Sequence, residues 1–357
     1  MKVTSLELTN FRNYKYLYAE FDSGINYIVG ENAKGKTNLV EAIYSLGFGK
    51  SFRTNDTLEL INKDFKYSII KAKTKSETSS KDIDIYLLLK GKKIRVNQKP
   101  LERLSQLNEI LNVLCFTPKD VNLLKETPSQ RRKFLNQNIS KSSRIYLSSL
   151  MDYETVLHQR NDALKLEKIN FDLLQILTDY LIRLSKPIYE YRQKFVKRIN
   201  EILKDVYKNI SLTDEVLRIK YKPFLDSEDH YEEELKELYN SALEEDVKKK
   251  VTTIGVHKED FEIYLGDRNL GIYGSQGENR LAIIALKIAP YFLAKNDKEK
   301  PIIVLDDVLS ELDENHEKNL LEYLKTFNQV FITSTKKSDY YQGKYYICDN
   351  DTIVKED

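Results

Sequence analysis

The chain of 357 residues has no tryptophan, two cysteines, seven prolines and twelve glycines. Cys115 and Cys348 lie far apart in sequence and form no Cys-x-x-Cys pair, which argues against a disulfide framework or a cysteine zinc site and fits a reducing compartment. No apolar run approaches the roughly 18 residues of a membrane span. Residues 1–4 alternate like a strand and lack the apolar block of a secretion signal, so the expected location is cytoplasmic, without a membrane partner. The scarcity of proline, with no Pro/Gly/Ser tract, leaves little room for a long flexible linker. Net charge is nearly absent too: 57 Lys and Arg stand against 55 Asp and Glu, a balance of +2. That excludes a histone-like polyanion binder and an acidic disordered tail, so any nucleic-acid surface has to be a local patch.

What is present suffices for folding. Hydrophobic residues make up 41% and charged residues 31%, and the length suits about two domains. Strand patterns dominate the opening: residues 6–9 and 16–21 alternate, 25–29 ends at Gly30, and 69–73, 83–89 and 93–96 follow. A Ser/Thr/Lys-rich hairpin loop is expected at 74–81. Residues 37–46 read as a helix with Leu39, Val40, Ala42, Ile43 and Leu46 near one face. From about 129 to 210 the period is helical, with no glycine and a single Pro187. A strand at 217–221 is expected to mark the return to the first domain, followed by an acidic helix at 232–243. Further on come a loop and helix at 273–289, a buried-type strand at 302–305, a helix at 315–324, a strand at 330–333 and a hairpin at 345–354. Strand and helix alternating at both ends predicts an α/β fold with a partly parallel sheet.

Gly30-Glu31-Asn32-Ala33-Lys34-Gly35-Lys36-Thr37 satisfies G-x-x-x-x-G-K-[ST], with a strand before it and a helix after it, Asn38 in the helix's first turn. In such a loop, backbone N–H groups and the helix N-terminus converge on phosphate. Lys36 places a point charge on the β- and γ-oxygens, and the Thr37 hydroxyl ligates Mg2+. Ala33 stands where these loops usually carry glycine, so that position is expected not to need a positive φ. Ile302-Ile303-Val304-Leu305-Asp306-Asp307 is four apolar residues ending in two carboxylates, as in a buried parallel strand presenting acids at the ligand-binding end of a sheet. Asp306 is expected to hold Mg2+ through a water, and Asp307 to polarise the attacking water. Ser275-Gln276-Gly277 precedes a helix with Leu281, Ile284, Ala285 and Ile288 on its apolar face. Alone, it is either an ordinary helix cap or an anion site.

The order of these motifs carries more. A P-loop, then Ser275 to Arg280 as Ser-x-Gly-x-x-Arg, then the Asp-Asp strand, then Ser310-Glu311-Leu312-Asp313 resembles ABC-type ATPases, and the spacing resembles their SMC branch. Asn10-Phe11-Arg12-Asn13-Tyr14, Glu41-Ala42-Ile43-Tyr44-Ser45-Leu46-Gly47 and Ser51-Phe52-Arg53 are similar to segments of the RecF family. So are Phe116-Thr117-Pro118-Lys119-Asp120, Pro128 with Arg131-Arg132-Lys133-Phe134-Leu135, and Gly255-Val256-His257-Lys258-Glu259-Asp260. The resemblance implies an α/β, ABC-type P-loop ATPase head with an inserted helical arm. Residues 1–120 and 211–357 would form the head, and 121–210 the arm. It implies ATP and Mg2+ as cofactors, an ATP-dependent homodimer, and binding to duplex or gapped DNA. It also implies cooperation with RecR and RecO in loading RecA during recombinational repair, with slow ATP hydrolysis as the reset. On that likeness Lys36, Asp306 and Asp307 are catalytic, and Arg12 and Asn13 reach the nucleotide from the N-terminal strand. Ser275 and Gly277, with Gln276 between them, contact the γ-phosphate of the partner's ATP.

Two departures from the pattern bear on turnover. Asp307 replaces the usual glutamate and is one methylene shorter, consistent with slow hydrolysis. Ser334-Thr335 occupy the place of the switch histidine. The competing functions are the ATPase subunit of a transporter and an ABC-headed nuclease subunit. Size, the long gap between loop and signature, and residues 116–135 argue against the first. The arm offers the second no obvious carboxylate arrangement. Arg131, Arg132 and Lys133, and the hairpin residues Lys92 and Lys93, are candidate DNA-phosphate contacts, weighed against plain solvated surface. His257 with Asp260 reads as a structural or dimer-contact pair, because no third acid–base partner accompanies it.

Overall fold

The computed structural model describes every residue except 78, 126, 228, 295–299, 351 and 357. The chain divides into two compact units. One comprises Met1–Val121, Asp205–Asp214 and Gln276–Asp357; the other comprises Asn122–Lys204 and Glu215–Ser275. The elements begin with β1 (Lys2–Phe11), β2 (Tyr14–Glu20), β3 (Gly24–Val29), α1 (Lys36–Phe48), β4 (Tyr67–Lys75), β5 (Ser80–Leu88), β6 (Gly91–Val96) and β7 (Lys99–Pro100). Then come α2 (Ser105–Ile110), β8 (Val113–Phe116), α3 (Pro128–Ser142), α4 (Arg144–Leu164), α5 (Phe171–Ile210), β9 (Leu217–Lys222) and α6 (Tyr231–Lys249). The chain closes with β10 (Asp260–Leu265), β11 (Arg268–Asn269), α7 (Leu270–Tyr273), α8 (Gln276–Ile288), β12 (Ile302–Asp306), α9 (Glu314–Leu324), β13 (Gln329–Ser334), β14 (Tyr345–Asp349) and β15 (Thr352–Glu356).

The first unit holds two sheets. One is antiparallel, in the order β2-β1-β4-β5-β6-β7. Its strands alternate because one face is core and the other is water: in β5, Ile83, Ile85 and Leu87 are buried while Asp82 and Leu88 are exposed. The second sheet runs β15-β14-β3-β13-β12-β8, parallel except for β15. Its central strands β12 and β13 are buried at every position, so they read as continuous apolar runs. Helix α1 lies among Leu6, Leu8, Ile70 and Ile85 of the first sheet and Ile28, Val304 and Phe331 of the second. That placement explains why α1 is buried from Leu39 to Gly47 instead of on one stripe. The hairpin expected at 74–81 is tighter: Thr74 pairs with Lys81 and Lys75 with Ser80, so the strands β4 and β5 extend into that range.

The second unit corrects the expected boundaries. The strand at 217–221 is not the return to the head. It is β9, paired with β10 and β11 in a separate antiparallel sheet of order β11-β10-β9. Residues 215–275 therefore group with the helices, and the chain rejoins the first unit at Gln276, apart from 205–214. The cause is a set of buried charges that the periodicity does not reveal. Arg192 on α5 donates to Glu259 at 2.5 Å and to the Val256 carbonyl at 2.7 Å. Arg160 on α4 reaches Asp246 on α6 at 2.7 Å, with Thr178 and Thr252 completing its bonds. All four charges are at most 2% exposed. Such pairs hold partners strictly, because removing one partner strands the other at a cost of about 3–5 kcal/mol.

His257 belongs to the same interior. Its Nε2 lies 3.1 Å from the Thr252 carbonyl, which can only accept, so Nε2 carries the proton and Nδ1 accepts from the Tyr153 hydroxyl at 2.7 Å. Both nitrogens are thus used by a neutral ring, and burial pushes its pKa down to about 4. Above pH 6.5 the ring is neutral in both folded and unfolded chains. As pH falls from 6.5 towards 4, the unfolded chain takes a proton that the folded chain refuses. Stability of the second unit should therefore drop over that window by up to about 1.4 kcal/mol per pH unit. Chemical denaturation across the window should show a shallower fall for His257→Gln than for the wild-type protein; equal slopes would remove His257 as the cause.

Candidate nucleotide site

The loop after β3 is shaped by crowding. A Cβ on Gly30 would sit 2.3 Å from the Cys348 carbonyl oxygen, and one on Gly35 would sit 2.5 Å from the Tyr14 hydroxyl and 2.9 Å from Asn13 Nδ2. Gly35 also has φ +102, so both sterics and backbone require glycine there. Ala33 overturns the expectation placed on it: its φ is +65. The turn needs the left-handed conformation whether or not the residue is glycine, and alanine accepts it at a cost of about 1–2 kcal/mol. Behind the loop, the Cys348 thiol donates to the Lys34 carbonyl at 3.1 Å, and Lys34 Nζ pairs with Asp349 at 2.7 Å. Tyr14 stands in the sequence only as part of a family segment and Cys348 only as a cysteine without a cysteine partner, and nothing in the sequence marks either as a support of this loop.

Lys36 is folded back on the loop, donating to the Gly30 and Glu31 carbonyls at 2.6 and 2.7 Å. Burial lowers its pKa, against the opposing influence of Cys348, Asp307 and Asp306. Thr37 donates to Asp306 Oδ1 at 3.0 Å, which brings the P-loop and the acidic strand into one site. Burial raises the Asp306 pKa, while hydroxyl bonds from Thr333 and Thr37 lower it. One oxygen of Asp307, Oδ1, is buried with no hydrogen-bond partner. An orphaned carboxylate oxygen beside a second buried carboxylate suits a cation. Among the described residues no group of three or more His, Cys, Asp or Glu could hold a metal alone. The donor set of one hydroxyl and adjacent carboxylates instead fits Mg2+ that takes its remaining ligands from phosphate and water.

The residues expected around the nucleotide divide into two groups. Glu31, Asn32 and Ala33 are exposed on the loop, and Asn38 donates to Asn13 Oδ1 at 2.6 Å beside it. Arg12 is committed elsewhere: it clamps Glu41 of α1 with bonds of 2.9 and 2.7 Å and donates to the Glu59 carbonyl at 2.8 Å. Arg53, read in the sequence only as a family marker, is the guanidinium at this edge. It donates to Asn38 at 2.8 Å, and its charge acts on Asp306. Ser275, Gln276 and Gly277 are exposed, and a Cβ on Gly277 would meet nothing within 4 Å. Farther along α8, Arg280 donates to the Asp307 and Val308 carbonyls at 3.0 and 3.2 Å and pairs with Glu311. Lys287 reaches Asp120 at 2.6 Å.

The proposed DNA contacts fare unevenly. Arg131 forms a two-bond pair with Asp260, both bonds 2.7 Å, and Arg132 donates to the Glu259 carbonyl at 2.7 Å, so both work inside the second unit. Lys92 donates to the Gly49 carbonyl at 2.5 Å, whereas Lys93 and Lys133 are exposed.

A P-loop at the end of a parallel strand, two acids on the next strand but one, and a signature helix tied to those acids define a nucleotide-binding head of the ABC-type ATPase class. A sequence model described as the RecF/RecN/SMC N-terminal domain matches residues 2–348. The chain is 38% identical over 346 residues to the DNA replication and repair protein RecF of Clostridioides difficile (strain 630), covering 95% of this chain and 92% of that one. It is 37% identical over 345 residues to the protein of the same name from Bacillus cereus (strain G9842), covering 94% and 92%. A solved structure of the recombination mediator protein RecF-ATP in the RecFOR pathway superposes with a TM-score of 0.89 at 32% identity, covering 100% of this chain and 98% of that one. An Smc head domain derived from Pyrococcus furiosus, at TM-score 0.61 and 16% identity over 99% and 96% of the two chains, shares the fold. The chain belongs to the RecF family.

Replacing Ala33 with glycine relieves the left-handed strain but adds chain entropy on unfolding. Ala33→Gly should therefore stabilise the nucleotide-free protein by about 1 kcal/mol or less, seen as a small rise in melting temperature. A fall of similar size would show that Ala33 is not strained.

Proposed function

We propose that this chain is an ATP-switched DNA-binding mediator of recombinational repair. In this reading ATP binding drives homodimerisation and binding to duplex or gapped DNA. The dimer works with RecR and RecO to load RecA in the cytoplasm, and slow hydrolysis resets it. The observation that carries the reading is the split of the site. P-loop and acids converge within one chain, while Ser275, Gln276 and Gly277 at the start of α8 are turned to solvent. A half-site of this kind is completed by a second copy. Support also comes from relatives named for DNA replication and repair, and from the likeness to an ATP-bound recombination mediator.

The parts have distinct tasks. Lys36 turns from its own loop carbonyls to the β- and γ-phosphates, and the N–H groups from Asn32 to Thr37 cradle the phosphate. Thr37 and Asp306 would hold Mg2+, which supplies charge neutralisation on the phosphate oxygens when bound. Asp307 accepts the proton of the attacking water. Its short side chain favours slow turnover, as a reset requires. The Arg280 bonds link the turn after Asp307 to the signature helix, so occupancy of the acidic end can be felt at Ser275.

Lys36→Ala should abolish ATP binding, and ATP should no longer shift its sedimentation from monomer to dimer. Ser275→Arg should bind ATP normally yet stay monomeric; ATP-driven dimerisation in that variant would remove the signature from the interface. DNA binding by the ATP-bound protein should weaken steeply with salt through counterion release, and binding that ignores salt would exclude a phosphate-dominated mode.

A further inference from the structure

The two acids at the end of β12 share one hydroxyl. Thr333 on β13 is the parallel neighbour of Asp306 and is 1% exposed. Its Oγ1 donates to Asp306 Oδ1 at 2.7 Å and accepts the Asp307 N–H at 3.0 Å. A hydroxyl has one proton, and an N–H can only donate, so the direction is forced: Asp307 N–H to Thr333 Oγ1, and Thr333 O–H to Asp306. That single group acts on both acids. It fixes where the Asp306 carboxylate points. It also pins the backbone of Asp307, whose φ of +49 is uncommon for a residue with a side chain and persists where neighbours hold it. From the opposite side, Thr37 donates to the same Asp306 Oδ1 at 3.0 Å. Two hydroxyls, one from the P-loop helix and one from the sheet, therefore converge on one carboxylate oxygen.

Packing alone does not require this residue. The β13 neighbours Val330, Phe331 and Ile332 are fully buried apolar side chains. A valine at 333 would fill the same volume and remove only the polar bridge.

We infer that Thr333 is a positioning residue for Mg2+–ATP, its hydroxyl aiming Asp306 at the cation beside Thr37 and setting the backbone from which Asp307 reaches the attacking water. The inference rests on the nucleotide-binding reading above. Nothing in the sequence singles it out: the strand around it is apolar, and the place of the switch histidine lies just beyond it at Ser334-Thr335.

Thr333→Val, Thr333→Cys and Thr333→Ser separate the bridge from packing. Two quantities are measured on each full-length protein: the Mg2+ concentration giving half-maximal binding of a fluorescent ATP analogue, and steady-state ATP hydrolysis. T333V and T333C should need at least about fivefold more Mg2+ and lose roughly tenfold or more in kcat, while binding of the analogue in excess EDTA stays at the wild-type level. T333S, which keeps the hydroxyl, should return both quantities to within about twofold of wild type. Melting temperature is read alongside, and if T333V does not fold, the T333C and T333S pair decides. Wild-type Mg2+ dependence and kcat in the variants lacking the hydroxyl would overturn the inference and leave the nucleotide reading standing. A wild-type protein with no Mg2+-dependent binding of the analogue would overturn both.

Discussion

A carboxylate with no access to water organises the nucleotide-binding end of the first unit. Glu41 is fully buried in the middle of α1, where an ionised group needs compensating donors. They arrive from two segments. Arg12, in the turn between β1 and β2, gives two bonds. Ser51 and Arg53, just past the end of α1, supply a hydroxyl and a second guanidinium. One charge thus ties the helix that starts at the phosphate loop to the antiparallel sheet and to the segment that follows it. The same cluster places Arg53 against Asn38, and Asn38 against Asn13, so the open edge of the site is set by a charge buried behind it. Any rotation or sliding of α1 would strand Glu41 among broken bonds.

The split between what sequence revealed and what it hid follows from this. The loop Gly30 to Thr37 and the acids Asp306 and Asp307 stood out because the P-loop and acidic-strand patterns fix residue types in order, and the fold brings them together where Thr37 bonds Asp306. The central strands β12 and β13 were legible because burial on both faces leaves apolar runs, whereas the sheet's short strand β8, four residues and only half-buried in its middle, was not read from the sequence. Arg12 is ambiguous in the sequence because an arginine next to a P-loop can serve phosphate or protein equally well by type, and the buried Glu41 that it clamps lies 29 positions away. Ala33 was misjudged because the turn's need for a positive φ outranks the residue's own preference. The boundary at 211 failed because Arg192–Glu259 and Arg160–Asp246 join residues 67 and 86 positions apart, and periodicity is blind to pairs at that range.

The segments that marked the family turn out to be largely structural. Glu259 and Asp260 close on Arg192 and Arg131, and His257 on Tyr153. Asp120 closes on Lys287 of the signature helix. Helix α8, buried from Asn279 onward apart from Lys287, is therefore held at two places along its length: by Arg280 on the carbonyls after Asp306, and near its end by Lys287. A guanidinium holding two consecutive carbonyls ties α8 closely to the turn after Asp306.

The near-zero net charge acquires a meaning once the basic residues are accounted for. Arg131, Arg132 and Lys92 looked like phosphate contacts, yet each spends its hydrogen bonds on its own unit, leaving Lys93 and Lys133 exposed among the five candidates. The basic residues that stand out by clustering in the sequence therefore serve the fold first, and an exposed position is a separate matter from a conspicuous one. The charge balance of the sequence is thus met in part by internal pairing: Arg131 on Asp260, Arg160 on Asp246 and Arg192 on Glu259 each cancel a carboxylate within the second unit.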